Sequence, residues 1–301
     1  MSDFLQDRLV LQPSLQLPRI GDQAELVYDS IVEQTRQALK QAGFSEFVLG
    51  LSGGLDSALT AVIAVDALAL DGIEADQVNG IIMPSQWTSQ ASLNDAQKLA
   101  NRLKIQSKTF NIMPTYTAIN DTLAPAFDGI AKDVTEENIQ ARIRAVFLMA
   151  LSNKFGWLVL STSNRSELSV GYTTLYGDMV GAFAPLAPLY KTWVYELAYF
   201  RNKRAQSLGQ DLLIPQSILD KEPSAELAPN QTDRAVLGSY SQLDALLYAL
   251  QEEEKDACEL KQLGFDSDYV DEIVHKVKSS EFKRLQAAPG AVLTLKHKLS
   301  K

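Results

Sequence analysis

Cysteine is almost missing from this 301-residue chain: Cys258 stands alone, so neither an intrachain disulfide nor a cysteine-based metal cluster can form. Histidine is nearly as scarce. His275 falls among Val270, Ile273, Val274 and Val277 on an expected helix and His297 in a basic tail, with no metal-ligand partner in view, and no Ser-His or Cys-His arrangement is evident. Basic charge is short too: 28 Lys and Arg face 37 Asp and Glu, a net charge of −9, which argues against broad nucleic-acid binding because that needs a basic face. No stretch has the length and polarity of a transmembrane helix. The first residues also lack a basic region followed by an apolar one, so a cytoplasmic protein without a membrane partner is expected. With 46% hydrophobic residues and no repeat or low-complexity tract, the chain suffices for one large α/β domain or two small ones.

What the chain does have is a glycine turn between an apolar strand and an apolar helix, in the run from Phe47 to Ala58 that reads FVLGLSGGLDSA. Gly53 and Gly54 let the backbone turn sharply, and the helix after Ser57 aims its unpaired N–H groups and positive dipole end at whatever occupies the turn. An anionic ligand fits there. A Walker A loop would place a lysine after its last glycine, and this chain carries Asp56 instead. A carboxylate beside a phosphate cradle repels a nucleotide unless a cation bridges them, so Asp56 implies Mg²⁺ held between carboxylate and phosphate oxygens.

Helical spacing over 24–42 (Leu26, Ile31, Ala38, Leu39) ends at Gly43, and strands are expected at 47–51, 78–83, 108–112 and 157–161. Helices are expected at 57–70, 91–103 and from Thr135, taken as a cap, to about 150. This β-α-β-α-β-α-β order predicts an α/β fold, an open doubly wound parallel sheet with helices on both faces and ligands at the carboxyl ends of its strands. Residues 162–190 read as an ordered loop over the site, and 191–206 as a helix. The whole chain is expected to form one domain: an N-terminal arm (1–22), an α/β nucleotide-binding core (23–206), a mobile loop (207–235, with Pro215, Pro223 and Pro229) and a helical C-terminal region with its tail (236–301). The acidic run 252–259 reads as a solvated helix face, and Trp87, Trp157 and Trp193 as core or interface residues.

The motif S-G-G-L-D-S at 52–57 resembles the pyrophosphate loop of the ATP pyrophosphatases, which cleave ATP between its α- and β-phosphates. Four further runs, at 133–144 (DVTEENIQARIR), 150–157 (ALSNKFGW), 166–178 (SELSVGYTTLYGD) and 280–284 (SEFKR), narrow the resemblance to the NAD⁺ synthetases, most nearly to the synthetase domain of their glutamine-dependent form. The resemblance implies that the carboxylate of deamido-NAD⁺ attacks ATP to give an adenylate and pyrophosphate, and that ammonia then displaces AMP. It assigns Gly50, Leu51, Ser52, Gly53, Gly54, Leu55, Asp56, Ser57, Thr162, Lys191 and Ser224 to ATP. Arg142, Tyr172, Thr173, Thr174, Leu175 and Lys283 go to deamido-NAD⁺. Asp56 and Glu167 take the metal, Mg²⁺, and Asp56 and Lys191 are the catalytic pair. Lys191 opens a helix, where a cation opposes the dipole and is unfavourable unless an anion lies near. Arg142 and Arg144 are two apart on a helix and cannot both line one face, which leaves one for the surface or a dimer contact.

The glutamine-dependent form carries an amidase domain ahead of its synthetase domain, whereas here about twenty residues precede the first helix. Free ammonia is therefore the expected nitrogen donor, unless a separate glutaminase chain supplies it, and a homodimer is implied. Leu175 stands where the ammonia-dependent members have a lysine. Other ATP pyrophosphatases (a GMP synthetase or a tRNA-modifying enzyme) and an inactive nucleotide-binding subunit of an amidotransferase are the alternatives.

Overall fold

The computed structural model describes residues 17–293, so residues 1–16 of the expected arm and the tail from 294, with His297, lie outside the described residues. Its centre is a four-stranded parallel sheet of β1 (Glu46–Gly50), β2 (Val78–Ile82), β3 (Gln106–Thr109) and β4 (Trp157–Val159) in the order β3-β2-β1-β4. Phe47, Val48 and Leu49 of β1 are each fully buried, and they face two cores in turn: Phe47 and Leu49 one, Val48 the other with Ile81, Ile143 and Val159. Burial on both faces is why β1 reads as a continuous apolar run. The outer strand β3 is polar and exposed and pairs through Ile82 with Thr109, so it begins two residues before the expected span and ends before Phe110. An edge strand has no buried face to leave an alternating pattern.

The helices follow the strands. Helix α1 (Ala24–Ala42) ends on Gly43, whose φ of 75° is the left-handed turn that glycine takes freely. Helix α2 (Leu55–Ala69) leaves the glycine turn and buries Ala58, Leu59, Ile63 and Ala64 completely; each large aliphatic side chain so placed contributes roughly 1.5–3 kcal/mol. Helices α3 (Gln90–Leu103) and α4 (Met113–Leu123) come next, the second absent from the sequence reading. Long helix α5 (Val134–Phe155) is capped by Asp133 and not by Thr135: Asp133 accepts from the Thr135 amide at 2.8 Å, and Glu136 accepts from the Asp133 amide at 2.9 Å. A cap residue needs extended backbone, which Asp133 has at φ −145°, whereas Thr135 is already helical.

Strand order turns back between β1 and β4, so a crevice opens at their carboxyl ends. The loop after β4 contains a short helix, α6 (Arg165–Val170), and is followed by α7 (Lys191–Ser207). The 207–235 segment holds α8 (Gln216–Asp220) and α9 (Asp233–Leu237), and the C-terminal region is α10 (Tyr240–Gln251), α11 (Ala257–Gln262), α12 (Ser267–Ser279) and α13 (Glu281–Arg284). Residues 17–20 lie against α7, where the Ile20 amide donates to Glu196 at 2.9 Å and Trp193 donates to the Pro18 carbonyl at 2.8 Å. Among the described residues no helix is long and apolar enough to cross a membrane.

Candidate active site

A cavity of about 270 Å³ occupies the crevice, walled by Gly50–Ser52 and Gly54–Ser57 from the turn, Thr162 and Glu167 from beyond β4, Lys191 from α7 and Lys221–Leu227 from the long loop. The turn is braced by its own hydroxyls: Ser57 Oγ donates to the Gly54 carbonyl at 3.0 Å, and the Gly54 amide donates to Ser52 Oγ at 3.1 Å. Gly53 has φ +78°, and a Cβ there would run into the Ser92 backbone. Only glycine fits.

Three charged groups converge beside the turn. The Lys191 ammonium, almost wholly buried, pairs with Asp56 and lies 3.4 Å from Glu167 Oε1. Burial alone would draw this lysine down, but the carboxylates of Asp56 and Glu167 outweigh it and hold Lys191 well above its ordinary value. Burial pushes Glu167 up to about 8 against the pull of Lys191, and the neighbouring Asp56 charge adds to the push. The pair comes from separate strand ends, and Asn164 registers one against the other: its Nδ2 donates to Asp56 at 3.0 Å while its Oδ1 accepts the Glu167 amide at 3.0 Å. Among the described residues no three His, Cys, Asp or Glu side chains form a metal cage. Two carboxylates short of positive charge, facing a phosphate-sized cradle, are nonetheless a donor set that fits Mg²⁺, which keeps its waters and takes phosphate oxygens.

A buried acid outside the cavity sets this geometry. Asp244 of α10, fully buried, accepts from Ser166 Oγ at 2.5 Å and from the Thr192 amide at 2.8 Å, while Ser166 Oγ accepts the Lys191 amide at 2.9 Å. One side chain thus ties the start of α7 to the helix that carries Glu167.

The expected dinucleotide residues are gathered too. Lys283 Nζ donates to the carbonyls of Gly171 and Thr173 at 2.8 and 2.7 Å, Arg142 Nε to that of Leu175 at 3.2 Å, and Thr174 Oγ1 to Asn138 at 2.7 Å. Tyr172 lines the cavity wall on this side. Arg142 and Arg144 do point apart: Arg142 is exposed, whereas Arg144 donates to the Met83 carbonyl at 3.0 Å and lines the cavity, burial drawing it down to about 10. Ser224 lines the cavity, but its hydroxyl is spent within its own loop on the Gln231 carbonyl at 2.5 Å.

Sequence reasoning did not single out Asp178, Lys221, Glu226 or Asp233, and it weighed Arg144 only against Arg142 and gave the site to Arg142, yet all five lie in the cavity wall. Lys221 reaches Ser92 Oγ and, at 3.4 Å, the Gly53 carbonyl, while Glu226 accepts from Ser89 and Ser92 hydroxyls at 2.9 and 2.6 Å. These contacts fasten the 207–235 segment to the start of α3 and to the glycine turn. The sign of each residue was visible in the sequence, but not the remote partner.

A parallel sheet whose switch point carries a glycine cradle, a buried lysine and paired carboxylates defines a nucleotide-binding α/β protein. The chain belongs to the NAD synthase family, whose model matches residues 27–287. It is 47% identical over 264 residues to the glutamine-dependent NAD(+) synthetase of Acinetobacter baylyi, covering 88% of this chain and 47% of that one, so it spans about half the length of such relatives. Among solved structures, NMN synthetase from Francisella tularensis is 28% identical with a TM-score of 0.70, covering 91% of this chain and 98% of that one. The NH3-dependent NAD synthetase of Campylobacter jejuni, in complex with the nitrate ion, is 27% identical with a TM-score of 0.68, covering 86% and 95%.

Proposed function

We propose that this chain carries out ATP-dependent amidation of deamido-NAD⁺ to NAD⁺ with ammonia, releasing AMP and pyrophosphate. The observation that carries this reading is the Asp56, Glu167 and Lys191 cluster beside the Gly50–Ser57 cradle, in a chain of the NAD synthase family. The cradle and the hydroxyls of Ser52 and Ser57 hold the ATP phosphates, with Thr162 and Ser224 at its flanks. Arg142, Lys283 and the Tyr172–Leu175 turn hold the dinucleotide so that its nicotinate carboxylate meets the α-phosphorus. A carboxylate oxygen forms the P–O bond, the bond to the β-phosphate breaks, and Lys191 neutralises the charge that gathers on the phosphoryl oxygens. Asp56 and Glu167 would hold Mg²⁺, which supplies further neutralisation of the leaving pyrophosphate when bound. Ammonia then forms the C–N bond, the C–O bond to AMP breaks, and the nitrogen sheds a proton.

Free ammonia as donor is supported by the likeness to the NH3-dependent Campylobacter jejuni structure along nearly all of that chain. A glutaminase, separate or fused, would deliver the same nucleophile. A homodimer is supported by the exposed apolar stripe of α5, where Val146 is 64% and Met149 39% exposed. Function in the cytoplasm accords with this chemistry.

The test is incubation of the purified protein with ATP, Mg²⁺, deamido-NAD⁺ and ammonium, following NAD⁺ and AMP, with the corresponding mononucleotide as a competing acceptor. NAD⁺ and AMP in equal amounts are expected. ADP release, no turnover, or preference for the mononucleotide would overturn the reading.

A further inference from the structure

The glycine turn has no lysine of its own, since Asp56 stands where a Walker A loop carries one. Space supplies what the local sequence omits. Lys221, 168 residues beyond Gly53, reaches the turn from the long loop: its Nζ donates to Ser92 Oγ and, at 3.4 Å, to the Gly53 carbonyl. Ser92 is the residue whose backbone a Cβ on Gly53 would strike, so the lysine packs at the rim of the cradle, and it lines the cavity.

The two lysines of the cavity wall are held differently. Lys191 is almost wholly buried and committed to two acids, Asp56 and Glu167. Lys221 is half-buried, and among the described residues the one carboxylate within 4 Å of its ammonium is that of Glu226, at 3.7 Å. That is beyond hydrogen-bond reach, and the same Glu226 oxygen already accepts from the Ser89 and Ser92 hydroxyls at 2.9 and 2.6 Å. The closer partners of Lys221, a hydroxyl and a carbonyl, carry no net charge. A cation on a flexible four-carbon stem gains by exchanging such acceptors for an anion. Lys191 meets the turn at Asp56 and Lys221 meets it at Gly53, so the two cations stand at its opposite ends. With Lys191 beside the reacting phosphoryl, Lys221 faces the end of the phosphate chain that departs.

We propose that Lys221 binds the β- and γ-phosphates of ATP and neutralises the pyrophosphate as it leaves. This rests on the synthetase reading above. As the nicotinate carboxylate oxygen bonds to the α-phosphorus, the bond from that phosphorus to the bridging oxygen breaks and its electron pair goes to pyrophosphate. The Lys221 ammonium, released from Ser92 and the Gly53 carbonyl, donates to the departing oxygens and keeps its proton. Glu226 is the counter-ion that holds the lysine between turnovers and touches no substrate.

AMP lacks the two outer phosphates, which gives the test its control. By calorimetry with magnesium chloride present, Lys221→Met is expected to raise the Kd of ATP and of pyrophosphate about tenfold or more and to leave that of AMP within about twofold. Exchange of labelled pyrophosphate into ATP, with deamido-NAD⁺ present and ammonium omitted, should slow by at least as much. Glu226→Gln separates a ligand from a brace: it keeps an acceptor for Ser89 and Ser92 but frees Lys221 of its counter-ion, so pyrophosphate should bind at least as tightly as to the unaltered protein. If Lys221→Met does not fold, Lys221→Gln is read by the same comparison. Unchanged affinity for ATP and pyrophosphate, equal weakening of AMP, or a Glu226→Gln protein that loses pyrophosphate as Lys221→Met does would overturn the subsite. Absence of exchange in an unaltered protein that binds ATP would instead overturn the synthetase reading, and the binding comparison would still decide the contact between Lys221 and phosphate.

Discussion

The two walls of the cavity are built by different means. The wall at the end of β1 is backbone, a glycine turn whose shape is set within six residues by Ser52, Ser57 and the buried helix behind it. The facing wall is side chain: Lys191 and Asp233 are buried and Glu167 half-buried, and they are fixed by partners such as Asp244, which lies 78 residues from Ser166 and 52 from Thr192. A backbone cradle recognises any chain of phosphates. A wall of buried charges is costly to assemble and is specific to one distribution of charge in the transition state. Binding and chemistry are therefore divided between the walls, and variants can separate them.

The widest separation is expected from Lys191→Met. Loss of the buried ammonium leaves Asp56 and Glu167 without their shared partner and the reacting phosphoryl without its cation, so adenylation should slow by about 10²–10³-fold. The glycine wall is untouched, and the ATP Kd measured by calorimetry should move far less than the rate. Equal losses in affinity and rate would show that the walls do not divide the work as described.

Asp244→Ala acts on the same wall from outside the cavity. It strands the Ser166 hydroxyl and the Thr192 amide, and leaving buried donors unmet should cost about 2–4 kcal/mol in urea unfolding. Turnover should fall with it, because Lys191 and Glu167 lose their common tether, and Asp244→Asn should recover part of both. A variant as stable as the parent yet inactive would place Asp244 in the chemistry and not in the scaffold.

This division also decided what the sequence could reveal. The glycine cradle, the cap at Gly43 and the alternation of buried strands with helices are written in neighbouring residues, and each stands close to where periodicity placed it. Glu167 and Lys191 were assigned through the family resemblance, Lys191 with the added local sign of a cation opening a helix. Lys221, Asp233 and Asp244 carried no local signal at all, and for Arg144 helix spacing said only that it faces away from Arg142. Each is an ordinary charged residue on a helix or loop until the chain brings Met83, Ser92, Tyr240 or Ser166 against it. Residues 162–190 and 207–235 concealed α6, α8 and α9 because helices of five or six residues are stabilised by their anchors more than by propensity.

The smallest expected effect tests whether the side-chain wall carries its charge at a cost to stability. Asp178 is exposed and accepts the Thr174 amide at 2.8 Å, and partial loss of hydration pushes its carboxyl up to about 6 from 3.8. A folded-state pKa above the unfolded value means that the native protein binds the proton more tightly. Stability attached to this group is therefore full below pH 3.8, declines as pH rises through about 6, and is absent above it. Asp178→Asn keeps an acceptor for Thr174 without the charge, so unfolding free energies of the two proteins should converge near pH 4 and diverge above pH 6 in favour of the variant. Solvent screening holds the gain to about 1 kcal/mol. A parallel pH course for the two proteins would mean that Asp178 ionises freely in the fold and that the strain of the charged wall rests on Glu167 and Asp233 alone.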